Sequence, residues 1–293
     1  MGNAATARFV DVGGVRTRYL EAGTEHPQSL VLIHGGEFGM YSLADDWEPV
    51  IGKLAGSFHV VAVDSLGCGY TDNPAAEDDY LIGSVSRHIH DFIRAIGIKR
   101  AHLAGHSRGG FVATQLALDH PDLVASVVIV ASGTLASPPN PIYEQWDREA
   151  AKITNARERA RYLIAVNSYS DDHIDDDFLE RVVAAMESAK VVQARLAFTG
   201  DARARFYRDL AERRQLVLER IAAGELRTPT LLTWGFNDPS AEASTSAIAA
   251  MNLIMPNVAH SELHIFNQAG HYSYRERPSA FARVVADFLQ ITN

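Results

Sequence analysis

Ala101-His102-Leu103-Ala104-Gly105-His106-Ser107-Arg108-Gly109-Gly110, continued by a helix-patterned run from Phe111 to His120, decides how this chain reads. An apolar segment of the buried-strand kind ends in Gly-x-Ser-x-Gly, and a helix pattern begins at once. That is the sequence of a nucleophile elbow. Turning from strand to helix in so few residues forces the serine into a strained backbone conformation. A Cβ at position 105 or 109 would meet the neighbouring backbone, so small residues are required there. Such a turn holds a serine hydroxyl at the tip of a strand. The amide of Arg108 and a helix N-terminus lie beside it.

Upstream, two short alternating runs, Phe9 to Val12 and Val15 to Glu21, meet at Gly13-Gly14 and read as a hairpin. Ser29 to His34 is a continuous apolar strand of the doubly buried kind, opening into the glycine-rich loop His34-Gly35-Gly36-Glu37-Phe38-Gly39. Ala44 to Leu54 is helical and Phe58 to Asp64 is the next buried strand. Gly67-Cys-Gly69 lacks the third glycine and the following helix of a dinucleotide fingerprint, which argues against a nicotinamide site. Ser84 to Ile96 is an amphipathic helix closed by Gly97. Its His88 and His90 are two apart and point in different directions, so they read as packing or surface histidines rather than a chelating pair.

Downstream of the elbow, Val124 to Ala131 is another buried strand, and strand–helix alternation to this point implies a mostly parallel sheet with helices on both faces. From about Leu135 to Ala223 only helix periodicity is found, opened by Pro138-Pro139-Asn-Pro141 and closed by Gly224 and Pro229. Alternation then resumes with strands at Pro229 to Trp234 and Glu262 to Phe266, a helix at Ala241 to Met255 and a closing helix from Pro278 to Ile291. The expected organisation is α/β: a core formed by residues 1–134 and 224–293, with a helical cap inserted at 135–223.

Composition sets limits on this reading. The chain has 293 residues, 47% hydrophobic and 22% charged, as in an ordinary globular protein. A formal net charge of -9 disfavours a nucleic-acid binder. The single cysteine, Cys68, allows no internal disulfide and suits a reducing compartment. No apolar run approaches the roughly 20 residues of a membrane span, and the first residues carry no apolar signal core. Met-Gly-x-x-x-Thr fits a myristoylation pattern, but no basic patch supplies the second anchoring signal. A cytoplasmic protein is expected.

A serine hydroxyl needs a base to take its proton and a carboxylate to orient that base. Asp238 follows the strand ending at Trp234, and His271 lies in the loop after the next strand. Ser, Asp and His thus come in that order, each at a strand end on one sheet edge.

On these residues the chain resembles the α/β-hydrolase fold family, from about Val15 to Leu289. The matching motifs are His34-Gly35-Gly36, Gly105-His-Ser107-Arg-Gly109, Trp234-Gly235-x-x-Asp238 and Gly270-His271. The resemblance implies Ser107 as nucleophile, His271 as general base, Asp238 as its orienting acid, and the amides of Gly36 and Arg108 as an oxyanion hole. A serine disfavours the branches that place a carboxylate there, the haloalkane dehalogenases and epoxide hydrolases. Leu66-Gly67-x-Gly69-Tyr-Thr-Asp-Asn-Pro74 and Trp234-Gly-Phe-Asn-Asp-Pro-Ser look most like the meta-cleavage product hydrolases. Those enzymes split a carbon–carbon bond in 2-hydroxy-6-oxo-hexa-2,4-dienoates from aromatic degradation. The implied reaction ketonises the enol and then attacks the 6-oxo carbon, by Ser107 or by an activated water, releasing two acids. It needs no metal or organic cofactor. The implied partner is a small anionic dienoate, with no nucleic acid or membrane. Members often form homo-oligomers, though no stretch here marks an interface.

The chain departs from the family pattern at several points. His106 stands where Asn is frequent, Tyr272 where Trp is, and Glu37 where another Gly is. The nearest match to a carboxylate-binding cap arginine is Arg181, one residue out of register. Glu37, Phe38, His106, Arg181 and Tyr272 are therefore the candidate substrate contacts, with Trp146 a further aromatic in the cap. Two other readings remain open: a carboxylesterase or lactonase with the same triad, and a non-catalytic ligand receptor on the same fold.

Overall fold

The computed structural model describes residues 4–137 and 140–291. Pro138 and Pro139, which open the expected insertion, and the Met1-Gly2-Asn3 start of the myristoylation pattern lie outside them. Eight strands form one sheet in the order β1-β2-β4-β3-β5-β6-β7-β8. They are β1 (Thr6–Val12), β2 (Val15–Ala22), β3 (Ser29–Ile33), β4 (His59–Val63), β5 (Ala101–His106), β6 (Val124–Val130), β7 (Thr230–Gly235) and β8 (Ser261–Phe266). β1 and β2 are antiparallel, joined through Gly13 and Gly14 with φ of 60° and 90°, the left-handed pair that a two-residue hairpin turn demands. β2 meets β4 antiparallel, and every pairing from β4 through β8 is parallel. β3 and the β5 residues up to Gly105 are buried throughout. This is why they read as unbroken apolar runs rather than alternating ones.

The helices are α1 (Glu48–Leu54), α2 (Ile82–Ala95), α3 (Arg108–Asp119), α4 (Gly133–Ala136), α5 (Ile142–Ala150), α6 (Ala156–Ala165), α7 (Asp176–Glu187), α8 (Ala189–Ala197), α9 (Gly200–Ala222), α10 (Ile248–Ile254), α11 (Ser273–Glu276) and α12 (Pro278–Ile291). Those from α4 to α9 all fall between β6 and β7, which are neighbours in the sheet, so the excursion leaves and rejoins one edge. Its apolar residues do not form a separate core. Phe198, Phe206, Val217 and Ile221 join the cluster under α2 and α3. Ile164, Phe178, Leu179 and Val182 join the cluster on the opposite face with Trp47, Tyr274 and Phe281.

Two close approaches fix the carboxyl edge of the sheet. A Cβ on Gly105 would run into the carbonyl of Gly109, and one on Gly109 into the carbonyls of Ile33 and His34. Strand β3, strand β5 and helix α3 therefore touch backbone to backbone. The second is Asp64, fully buried just beyond β4. Its carboxylate accepts the amides of Ala44 (2.6 Å) and Tyr70 (2.8 Å) and pairs with Arg18 at 3.3 Å. That pins both the approach to α1 and the loop of positive-φ glycines 67 and 69.

Because the elbow's contact is steric, Gly105→Ala is expected to cost about 1–3 kcal/mol in urea unfolding, the range for forcing a methyl into a packed interior. Gly56→Ala, whose Cβ would meet only the Lys53 carbonyl at 3.9 Å, should stay within about 0.5 kcal/mol of the parent. Equal effects of the two substitutions would contradict this account.

Candidate active site

Ser107 sits between β5 and α3 with φ 52° and ψ −119°, a conformation that costs about 1–3 kcal/mol and is maintained only by surrounding contacts. Its amide donates to the Val130 carbonyl at 2.8 Å, tying it to β6. Gly35 lies directly against it, since a Cβ there would come within 2.8 Å of the serine Cβ. Gly36 follows with φ 86°. Among the described residues the amides of Gly36 and Arg108 have no protein acceptor; that of Arg108 is in the first turn of α3, where no intrahelical partner exists.

Asp238 and His271 arrive from the ends of β7 and β8. Asp238 is buried, and its Oδ1 accepts the amides of Ser240 (2.9 Å) and Ala241 (2.8 Å) and the Ser240 hydroxyl (3.0 Å). Its Oδ2 accepts His271 Nδ1–H at 2.7 Å. With Nδ1 carrying the proton, Nε2 is the lone-pair nitrogen of the neutral ring. The His271 amide donates to the Asn167 carbonyl at 2.9 Å, so a residue between α6 and α7 helps place the imidazole. Among the described residues no hydrogen bond joins Ser107 to His271. The carboxylate–imidazole half is assembled, and the serine–imidazole contact is unmade, as is common before substrate binds.

The other nominated residues divide sharply. His106 is buried behind the elbow; its Nε2–H donates to the His271 carbonyl at 3.1 Å and its Nδ1 accepts from the Tyr274 hydroxyl at 3.4 Å. Burial, and then the neighbouring His271, hold its pKa well below the usual value, so it is a neutral scaffold residue. Tyr272 is buried too, its hydroxyl 3.1 Å from that of Tyr41. Arg181 departs from the sequence expectation. It pairs with Asp45 and Glu48, acids flanking the start of α1. Val182, next along α7, is fully buried. Phe38 packs edge-on to Tyr80 and Phe206. Glu37 accepts the Tyr207 hydroxyl at 2.7 Å and has Arg203 and Arg108 within 3.3 and 3.5 Å. Trp146 contacts Tyr143 edge-on.

Sequence patterns did not reveal Ser240, Asn167, Tyr143, Arg203 or Tyr207. Tyr143, on α5, is 38% exposed overall, yet its hydroxyl lies beside Ser240, Asp238 and Asn167, where burial raises its pKa. The Ser in Asp238-Pro-Ser240 is the one signal of this group visible in sequence, as a side chain two residues beyond a turn aspartate. Among the described residues no group of three or more His, Cys, Asp or Glu side chains is placed to hold a metal ion.

Beside the site, Asp46 is a buried carboxyl whose Oδ2 accepts the Leu43 amide at 3.3 Å. Arg275 donates to the carbonyl of Asp46, and also to that of Asp45, but not to the Asp46 carboxyl.

Comparison with known proteins places this geometry. The family model described as alpha/beta hydrolase fold matches residues 28–278. A 2-hydroxy-6-oxo-6-(2'-aminophenyl)hexa-2,4-dienoic acid hydrolase from Metapseudomonas resinovorans is 31% identical over 98% of this chain and 92% of its own. A solved serine hydrolase involved in carbazole degradation superposes with a TM-score of 0.76 at 27% identity, covering 98% of this chain and 100% of that one. A solved membrane phospholipase A gives 0.75 at 26% identity, covering 99% and 87%.

Burial pushes the Asp46 carboxyl up to about 8, with Arg275 opposing. A raised folded-state pKa means that the stability tied to its protonated form is complete below the ordinary carboxyl value and is lost as pH rises through about 8. Asp46→Asn keeps an acceptor for Leu43 without the charge. Its unfolding free energy relative to the parent should therefore improve from pH 5 to about pH 8 and level off beyond it in urea titrations. A constant difference across that range would mean that Asp46 is ionised throughout.

Proposed function

This chain belongs to the α/β-hydrolase fold family, and we propose that it is a serine-dependent hydrolase of meta-cleavage products, cleaving a carbon–carbon bond in a 2-hydroxy-6-oxo-hexa-2,4-dienoate. The observation that carries the reaction class is a strained Ser107 flanked by two amides without protein acceptors, at the same sheet edge as a preformed Asp238–His271 pair. The substrate class is supported by full-length similarity to the aminophenyl-dienoate hydrolase.

In this reading the dienol first ketonises, which places a carbonyl electron sink next to the bond to be broken. His271 Nε2 takes the Ser107 proton as Oγ adds to the 6-oxo carbon. Asp238, anchored by the Ser240 and Ala241 amides, stabilises the imidazolium that results. The oxyanion is received by the amides of Gly36 and Arg108. Collapse breaks the C5–C6 bond, the electron pair passes through the conjugated system onto the C2 oxygen as a dienolate, and the His271 imidazolium returns its proton to that oxygen to give the dienol acid. Water, activated by His271, then hydrolyses the acyl-serine to the second acid. Direct attack by a His271-activated water gives the same products. We assign residues 135–223 as the cap over this edge and the cytoplasm as the site of action. Among the described residues no helix is long and apolar enough to cross a membrane. Ester hydrolysis by the same groups is the second reading, favoured by the similarity to a phospholipase.

The test is stopped-flow loss of the yellow dienolate of 2-hydroxy-6-oxo-6-phenylhexa-2,4-dienoate, run beside p-nitrophenyl acetate hydrolysis. Rapid dienolate decay well beyond the ester rate is expected, followed by a second dienoate with a smaller 6-substituent if the first is untouched. Ester turnover with both dienoates intact would instead establish the esterase. Ser107→Ala should lower turnover by about 10⁴-fold or more, since triad members act as a unit. Full activity in that variant would sink both readings.

A further inference from the structure

An anionic substrate needs a cation near Ser107, and most of the cations around the site are already committed. Arg18 is held by Asp45 and Asp64, and Arg181 by Asp45 and Glu48. Arg275 is spent on the carbonyls of Asp45, Asp46 and His173, and Lys190 on those of Cys68 and Gly69.

Two guanidiniums differ. Arg108, the residue after the nucleophile, reaches back to donate to the Gly36 carbonyl at 2.8 Å, so its head lies beside the oxyanion loop. Its Nε is buried with no hydrogen-bond partner. Arg203, on α9, is half-exposed and approaches from the cap side. Between them they share one carboxylate, Glu37, at 3.5 and 3.3 Å, and the Tyr207 hydroxyl donates to that same carboxylate at 2.7 Å. Asp147 makes no ion pair within 4 Å among the described residues; burial raises its pKa, and Arg203 acts on it only at longer range. Two cations against one close anion leave the cluster with surplus positive charge. Glu37 and Arg108 also border a small slot of about 20 Å³, room for about one water, that runs inward past Phe38 and Phe206 to Ile82 and Val112.

We propose that Arg203 and the Arg108 side chain form the carboxylate-recognition site of this active centre, and that Glu37 is its resident occupant, displaced by the acid end of an anionic substrate. The donor set of two guanidiniums and a phenol is what a carboxylate takes up by charge-assisted hydrogen bonds. Glu37 holds those donors ordered when no substrate is present, which lowers the ordering cost of binding. The inference rests on the hydrolase reading for the position of the reacting carbon, but its test does not require turnover.

The test is calorimetric titration with sorbate (hexa-2,4-dienoate), which lacks the 6-oxo group, and with the uncharged hexa-2,4-dien-1-ol. Arg203→Met should raise the sorbate Kd about tenfold or more, the loss expected for a charge-assisted contact. Glu37→Gln should lower it several-fold, because the internal competitor loses its charge while Gln still accepts from Tyr207. The sorbate-to-alcohol preference should move in these opposite directions. Unchanged preference in Arg203→Met, weaker sorbate binding in Glu37→Gln, or no sorbate heat from the parent protein at millimolar ligand would each overturn the proposal. If sorbate behaves as expected but no dienoate is cleaved, the reaction assignment fails and the anion site stands. Dienoate cleavage with no role for Arg203 is the reverse.

Discussion

The structure depends on backbone meeting backbone at the β5–α3 turn. Gly105 lies on the Gly109 carbonyl, Gly109 on the carbonyls of Ile33 and His34, and Gly35 against the Ser107 side chain. Side chains at those positions would push β3, β5 and α3 apart and relax Ser107 out of its left-handed conformation. The same contact sets the site's dimensions. With β3 and β5 paired in register from Ser29–Ala101 to Ile33–Gly105, the loops leaving them start at one level. Gly36 and Arg108 therefore follow closely on strand ends at that level.

The remaining parts are supplied by parallel pairing. β6, β7 and β8 each add a strand end at the same edge, which brings Asp238 and His271 to within 2.7 Å although 33 residues separate them. Local hydrogen bonds then refine what the sheet places. Two amides and a hydroxyl fix the Asp238 carboxylate, and the Asn167 carbonyl holds the His271 backbone. The imidazole orientation is thus determined partly by the helical excursion and not by the sheet alone.

That division explains what was legible in the sequence. Strand–helix alternation, the glycine pattern at the elbow and the order Ser107, Asp238, His271 are consequences of backbone rules that act over a few residues, so they can be read without coordinates. The hairpin at Gly13-Gly14 follows the same logic. Contacts made by the helical excursion do not. Arg203 finds Glu37 across 166 positions, Tyr207 across 170, and Arg181 finds Glu48 across 133. Nothing in the periodicity of α7 or α9 tells which acid each arginine will meet. His106 and Tyr272 were nominated by their place beside the nucleophile and base. In the structure both are buried, His106 donating to the His271 carbonyl and the Tyr272 hydroxyl lying against that of Tyr41.

The fate of His106 shows how burial removes a polar side chain from a site it adjoins in sequence. A polar side chain next to the nucleophile can serve the ligand only while its hydrogen-bonding atoms are free. In this chain both ring nitrogens are used, one by the loop that carries His271 and the other by Tyr274, and burial keeps the ring neutral. A charge at that position would act directly on the neighbouring His271 ring, whereas a neutral ring donating to its carbonyl steadies the loop that carries it. With both nitrogens of His106 used in this way, other polar groups are left to face the elbow. The side chains still facing the elbow come from the Glu37–Phe38 loop, from Arg108, and from α5 and α9 of the excursion. Two of these sources, α5 and α9, lie in the helical excursion between β6 and β7, so its packing shapes the surroundings of Ser107 as much as the sheet edge does.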